Sequence, residues 1–382
     1  MEYRSLGRTG LTVSAVSLGT EYLINQPRDH VVTVIREAIA RGVNYFDLFF
    51  AQAEFRDNMG AAFQGRRDRV LLAAHLGAIH VNGQGDRTRD PAVAERFLLD
   101  FLSRYRTDYV DVLFLHNIDL QDDYDRVMGP GGLLDLAQRY RAEGKARAIG
   151  FSGHSIATAL QAAESGAVDV IMFPVNLTGH AIPERKTLLQ ACAERGVGLV
   201  AMKPYAGGKL LRAGQTLEVE TWQRGSYQEM GGAPVQVERR STQPITPVQC
   251  LAYILTLPDI STIVPGCKDL AELEAAQAVW TATSEERDFA PALAAFPEYL
   301  TGECVYGNHC LPCPASIDVG QTIRLLETAQ GRPTPGLLAA YAALPAPASD
   351  CTQCGSCAER CPFGVDAVAK IEEAAALFGG VA

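Results

Sequence analysis

YVDVLFLH, residues 109–116, is followed by GLLDLAQRYRAEG at 132–144, ARAIGFSG at 146–153, SIATALQAAESG at 155–166 and VDVIMFPVN at 168–176. The three short runs are rich in Val, Ile, Leu and Phe, as strands buried on both faces of a parallel sheet are. The two segments between them carry apolar residues at helical spacing and end in Gly, a helix stop signal. The alternation continues outward. AVSLG (15–19), VNYFDLF (43–49), VLLAAHLG (70–77), VGLVAMKP (197–204) and ISTIVPG (260–266) are further strand runs. HVVTVIREAIARG (30–42), DPAVAERFLLDFLSRYR (90–106) and RKTLLQACAERG (185–196) are further helical patterns. Eight strand runs before about residue 280 give the unit count of an α/β fold of the (β/α)8 TIM barrel type. A doubly wound open sheet is the alternative, since periodicity does not show closure. No G-x-G-x-x-G follows the first strand run, which weighs against that alternative for a nucleotide enzyme.

The flanking segments read less regularly. YRSLGRTGLTVS (3–14) is a hairpin with Gly at the turn, placed to plug the bottom of a barrel. Residues 212–245 form an irregular polar stretch with Gly231-Gly232. Loops of that length are usually functional or disordered. With 78–90, rich in Gly, Asp and Arg, it is expected to shape a pocket at the C-terminal ends of the strands. The expected organisation is a barrel over 1–281, a linker over 282–300 and a small, mostly helical ferredoxin-like domain over 301–382. In the last, helical patterns run over 317–328 and 365–378, joined through an Ala- and Pro-rich stretch at 330–350.

Seven of the ten cysteines fall in that last region. CTQCGSCAERCP sets Cys351, Cys354, Cys357 and Cys361 at C-x2-C-x2-C-x3-C-P, the bacterial ferredoxin spacing for a [4Fe-4S] cluster. The Cys followed by Pro ordinarily ligates the other cluster of a pair. CVYGNHCLPCP adds Cys304, Cys310 and Cys313. One cluster is completed by Cys313 joining Cys351, Cys354 and Cys357. A second would take Cys304, Cys310 and Cys361 and lacks a fourth cysteine. His309 can supply that ligand, the position can stay open, or the second cluster is absent. Zinc uses some of these spacings, but the order and the CP ending favour iron and sulfur. Cys192, Cys250 and Cys267 lie in apolar or helical contexts and read as buried small hydrophobes.

The net charge of −10 argues against generic nucleic-acid binding. No run approaches 18 apolar residues, so no membrane span is expected, and MEYRSLGRTG lacks the apolar core of a leader. A cytoplasmic protein in a reducing compartment is expected, and a disulfide framework is not.

YRSLGRTGLTVSAVSLG, GVNYFD, VDVLFLHNID, GKARAIGFSGH, VNL and IVPG occur in the order and spacing of the aldo-keto reductase family, which residues 1–280 resemble. The cysteine-rich tail with MKP in the seventh strand run resembles that family's iron–sulfur-fused branch. The resemblance implies a (β/α)8 barrel that binds NADPH at its C-terminal rim and transfers hydride to a carbonyl. It implies an active site of Asp, Tyr, Lys and His, the Tyr donating the proton beside a Lys paired with Asp. Asp47 and His116 match the Asp and His. Gln52 stands where the Tyr is expected and His75 where the Lys is expected. Without the Lys there is no fixed cation to lower a phenol's pKa. An imidazolium at His75 near Asp47 is a competent acid near neutral pH. Tyr22 can offer a phenol at the same rim, which Glu21 can also face. The expected catalytic group is therefore Asp47, His75, His116 and Tyr22.

The resemblance also assigns Ser152 and Asn176 to the nicotinamide carboxamide and Lys268 to the 2′-phosphate of NADP. Met172, Ala275 and Ala276 depart from the family's pattern. The expected function is a NAD(P)H-dependent oxidoreductase acting on a carbonyl or alcohol of a small molecule. The cluster would pass single electrons, with an electron-transfer protein as a further partner, or hold the tail in place. The alternatives are a non-redox lyase, dehydratase or isomerase using Asp47, His75 and His116, and a binding protein with a decayed site.

Overall fold

The eight apolar runs become eight parallel strands: β1 Leu18–Gly19, β2 Tyr45–Leu48, β3 Leu71–Leu76, β4 Val110–Leu115, β5 Ala146–Ser152, β6 Val170–Pro174, β7 Gly198–Met202 and β8 Ile260–Val264. The computed structural model describes the chain except residues 181–182, 213–215, 220–234, 239–243, 295–303, 305–309, 330, 362–364 and 380–382. Each strand pairs with its neighbour in sequence. The ring closes where Ser17 N donates to Ile263 O (2.8 Å), Ile263 N to Ala15 O (3.0 Å) and Gly19 N to Pro265 O (2.9 Å). Closure leaves the sheet without an edge and decides the barrel over the open sheet.

Side chains alternate across a strand, so every second residue points into the barrel. Tyr45, Ala73, Val112, Phe114, Ala148, Val170, Met172, Val200 and Val264 form the interior cluster, all 3% exposed or less. The N-terminal hairpin, Tyr3–Ser5 with Thr12–Ser14, adds Leu6, Leu11 and Val13 to this cluster from the bottom. Gly150 makes one interior layer possible. A Cβ there would lie 2.3 Å from the Phe114 ring.

The outer helices are α1 Arg28–Ala40, α2 Ala53–Phe63, α3 Pro91–Tyr105, α4 Gln121–Met128, α5 Leu133–Ala142, α6 Ile156–Ser165, α7 Pro183–Arg195, α8 Pro247–Thr256 and α9 Leu270–Gln277. Their starts follow capping chemistry. Asp90 accepts from Ala92 N ahead of Pro91, and Thr246 with Gln249 forms a capping box on α8. None of the helices among the described residues is long and apolar enough to cross a membrane.

The structure departs from the expected loops. Residues 78–90 contain a hairpin, Ala78–Val81 against Gln84–Arg87, turned by Asn82 (φ 50°) and Gly83 (φ 78°). Positive φ at both turn residues is the type I′ geometry that Asn-Gly favours. Within 212–245, Thr216–Val219 pairs with Val235–Glu238, and Gly231-Gly232 lie outside the described residues. The expected linker includes α10, Ala290–Ala294, and buries Phe289 and Leu293 in the main core, because these apolar side chains can pack on the barrel. The Ala- and Pro-rich stretch holds α12, Pro335–Ala342, capped by Thr334. It lies between α11, Val319–Ala329, and the last helices, α13 Ser356–Arg360 and α14 Ala367–Phe378. Ile323, Leu326, Ile371, Ala374 and Phe378 share one buried cluster with the barrel's outer layer. Cys192, Cys250 and Cys267 are buried, as expected.

Gly150→Ala should force the Phe114 ring to move. Overpacking of this kind costs about 1–3 kcal/mol, read as a lowered denaturation midpoint. An unchanged midpoint would show that the interior layer relaxes freely.

Candidate functional site

Asp47, His75, His116 and Ser152 each lie two residues beyond an interior residue: Tyr45, Ala73, Phe114 and Gly150 respectively. The pleat therefore turns all four into the mouth at the C-terminal ends of their strands. Register completes the arrangement. Asp47 is level with Ala73, and His75 is level with Phe114. His116 follows directly, its N–H donating to Leu76 O (3.0 Å).

The three titratable side chains form one chain of hydrogen bonds. His75 Nε2 lies 2.8 Å from Asp47 Oδ1, and His75 Nδ1 lies 3.0 Å from His116 Nδ1. The carboxylate accepts, so His75 carries its proton on Nε2. Neutral His75 then presents a lone pair at Nδ1, and His116 must donate from Nδ1. His116 Nε2 is thereby left as an acceptor. Burial, and then the neighbouring His75 and Arg89, push the His116 imidazole well below the usual histidine range. His116 is a neutral base.

Aromatic rings fix both imidazoles. Phe114 stacks under His75 with ring centroids 5.0 Å apart, and Phe49 lies parallel to His116 at 6.3 Å. Arg89 holds the backbone that carries His116. It is 8% exposed and donates to His116 O (2.8 Å), Asn117 O (2.7 Å) and Asp123 Oδ2 (3.0 Å). Asp119 accepts from Ser155 N (3.1 Å) and His154 Nδ1 (3.1 Å), tying the ends of β4 and β5 together. Sequence reasoning marked the segment of Arg89 but not its role. The Asn82-Gly83 dipeptide was the signal that a hairpin, rather than a loose loop, stands before it.

Tyr22 is placed differently from the expectation. Its ring covers Gly266 on the β1–β8 seam and is 44% exposed. Burial and Glu21 push its phenol up, opposite to what a proton donor requires. No hydrogen bond joins it to Asp47, His75 or His116 among the described residues. Gln52, at the position expected for a phenol, donates to Asn25 Oδ1 (2.9 Å) ahead of α2.

On the other side of the mouth, Ser152 Oγ accepts from Asn117 N (3.0 Å) and donates to Leu115 O (3.3 Å). Asn176 Nδ2 donates to Lys203 O (3.1 Å). Lys203 has φ 54°, a left-handed conformation uncommon for a residue with a side chain. Behind Asn176 lies a buried support that the sequence did not reveal. Arg185 donates to Asn176 O (2.9 Å) and Tyr253 Oη (2.6 Å), and His180 Nδ1 meets the same hydroxyl at 2.7 Å. Lys268 Nζ pairs with Glu272 Oε1 at 2.9 Å. Asp269 caps α9, accepting from Glu272 N at 2.9 Å.

None of the ten cysteines forms a disulfide. Cys313, Cys351, Cys354 and Cys357 line one cavity together with Ile317, Val319 and Ile371. Cys310, pushed up to about 11 chiefly by burial, lies within electrostatic reach of Cys357 and Cys361. Cys304 borders a separate groove beside Lys186 and Arg185. His309 lies outside the described residues. Among the described residues, no group of three His, Cys, Asp or Glu side chains is gathered so as to hold a metal ion.

Comparison with known proteins agrees with the barrel. The chain is 27% identical over 288 residues to L-galactose dehydrogenase of Arabidopsis thaliana, covering 72% of this chain and 86% of that protein. It is 24% identical over 282 residues to the uncharacterized oxidoreductase YqkF of Bacillus subtilis, covering 72% and 89%. The fold is shared with an aldo-keto reductase, AKR11C1, from Bacillus halodurans in its holo form. There the TM-score is 0.60 and the identity 23%, over 77% of this chain and 96% of that one. Residues 15–291 match the Aldo/keto reductase family, and the chain belongs to that family.

Proposed function

We propose that this chain is a nicotinamide-dependent oxidoreductase that interconverts an alcohol and a carbonyl of a small molecule, with Asp47, His75 and His116 as its proton relay. The unbroken hydrogen-bond chain from Asp47 Oδ1 to His116 carries this reading. When bound, the nicotinamide supplies or accepts the hydride. His116 Nε2 takes the proton of a substrate hydroxyl. The Nδ1 proton of His116 passes to His75 Nδ1. His75 becomes an imidazolium beside the Asp47 carboxylate, which stabilises it. Carbonyl reduction runs the same path backward, and His116 Nε2 returns the proton to the substrate oxygen. The family relationship and the dehydrogenase and oxidoreductase relatives favour this over proton transfer without hydride.

The residues present fit such a cofactor. Ser152 and Asn176 are neutral hydrogen-bonding groups at adjoining strand ends, supported by Arg185. Lys203 adds a cation to the mouth. At α9, Lys268 is already paired with Glu272 and stands beside Asp269. Two carboxylates at that position favour a ribose diol over a 2′-phosphate, so the reading narrows from NAD(P)H to NADH.

We further infer that the C-terminal segment holds a [4Fe-4S] cluster, as in the iron–sulfur branch that the tail resembles. Four thiols around one cavity suit a cubane, which takes one thiolate per iron. Hydrogen bonds from Ser356 draw the exposed Cys354 thiol down, which favours the thiolate ligand. When bound, the cluster supplies single-electron transfer or a covalent tie across the tail. Exposed Cys354 is where an electron-transfer protein would approach.

Titration of anaerobically purified protein should show saturable NADH binding, tighter than NADPH. Absence of binding by either would remove the cofactor reading. His116→Ala should lower kcat by about 10²–10⁴-fold, the usual contribution of a positioned acid–base group, while NADH affinity changes little. A variant with full turnover would remove His116 from the chemistry. Iron and sulfide analysis should give about four of each per chain for one cluster, and Cys351→Ser should abolish both. Retained iron in that variant would overturn the ligand set.

A further inference from the structure

Behind Asn176 lies a buried cation that no acid neutralises. Arg185, on the first turn of α7, is 3% exposed. Its two terminal nitrogens donate to Asn176 O and Tyr253 Oη, both uncharged. Among the described residues it forms no ion pair with a carboxylate, and its Nε–H has no hydrogen-bond partner. Buried charges are ordinarily paired, because leaving water without a counter-charge is costly. His180 is the second such group. It is 4% exposed, and its Nδ1 meets Tyr253 Oη at 2.7 Å. That oxygen already accepts from Arg185, so the buried phenol proton goes to His180 Nδ1. The imidazole proton then sits on Nε2, which has no partner either. Burial, and then Arg185 and Lys186, push His180 down to about 3, so the ring is neutral. Both unused nitrogens are therefore donors, and both lack an acceptor.

The two side chains line one groove of about 830 Å³. It lies between α7 and the turn 257–259 on the barrel side and α11 and α12 on the other. Leu189, Leu257, Pro258 and Leu337 supply apolar walls, and half-buried Lys186 and exposed Arg332 add positive charge. A concavity of this size, with apolar walls and a few convergent polar groups, is the usual form of a small-molecule pocket. The acids along the groove face other cations. Glu194 pairs with Arg195 and Glu327 with Lys370, each at 3.6 Å, and Asp259 faces Arg324. None of them offsets Arg185.

We propose that this groove between the barrel and the C-terminal helices binds a small molecule through an oxyanion, a phosphate or a carboxylate, that accepts from Arg185 Nε–H and His180 Nε2–H. One oxyanion supplies what both groups lack: oxygen acceptors for the two donors and a counter-charge for the guanidinium. The apolar walls take the rest of the molecule. Two of the three Arg185 nitrogens serve the protein's own architecture, and the third serves the ligand. The site lies behind Asn176 and shares with the mouth only the hydrogen bond to that residue's carbonyl. It stands independently of the cofactor reading.

Crystals of the full-length protein soaked in tungstate, a heavy analogue of phosphate, should show an anomalous peak within hydrogen-bond distance of Arg185 Nε and His180 Nε2. In solution, calorimetric titration with inorganic phosphate and with succinate separates the two sources, the lower Kd naming the headgroup. His180→Phe keeps a ring but no donor and should raise that Kd by about tenfold or more, the worth of one hydrogen bond to a charged group. Arg332→Ala, at an exposed position, should raise it by about two- to fivefold. No tungstate peak in the groove overturns the proposal, as does binding of neither phosphate nor succinate. A Kd unchanged in the variants puts the anion elsewhere and overturns it too. If His180→Phe does not fold, Arg332→Ala and the tungstate position in the unaltered protein decide.

Discussion

The 2.8 Å hydrogen bond between His75 Nε2 and Asp47 Oδ1 fixes the chemistry of the mouth. It decides which nitrogen of His75 carries a proton, and through that bond the tautomer of His116. In the proposed relay, the base is thus set by a carboxylate two side chains away. The bond is itself a product of strand register, since β2 and β3 pair with Asp47 level with Ala73. A slip of either strand by one residue would turn its group out of the barrel and break the bond.

Two departures from the resembled catalytic set become one change when seen this way. Where the family places a phenol and a lysine, this chain has Gln52 and His75. A lysine beside a phenol is a fixed cation that holds the phenol's acidity down. With the phenol gone, that cation has nothing to act on. An imidazole in the same place does something a lysine does poorly at neutral pH: it receives a proton on one nitrogen while donating on the other. Asp47 serves both arrangements, since it stabilises a cation on whatever stands at the end of β3. The interior supports the exchange, with Phe114 stacked against His75 in space left by Gly150.

The barrel was legible because its strands are mostly apolar and several of its helices stop at or just before glycines. The facing of Asp47, His75 and His116 was legible for the same reason, since period two extends the interior pattern to the strand ends. The contacts between them were not. A spacing of 41 residues between His75 and His116 says nothing of a 3.0 Å approach. Tyr22 makes no hydrogen bond to the relay among the described residues, because the turn after β1 lays its ring over Gly266. Lys268 could be read as a cation but not as a partner of Glu272, four residues on, because that pairing needs α9 to begin at Leu270. Arg185, His180 and Tyr253 were silent for another reason: buried polar networks assemble from distant segments with no periodic trace.

Four of the tail's cysteines line one cavity. Cys313 is followed by Pro and lies apart in sequence from Cys351, Cys354 and Cys357, yet it shares their cavity. Cys361, also followed by Pro, belongs to the tight run but lies near Cys310 of the upstream group. Cys310 is within electrostatic reach of both Cys357 and Cys361, so it does not sort with one of the two sets. Cys304 borders the groove beside Lys186. The four-thiol cavity is therefore the stronger basis for a cluster. The set Cys304, Cys310 and Cys361 lacks a fourth cysteine, so a second cluster has the weaker basis.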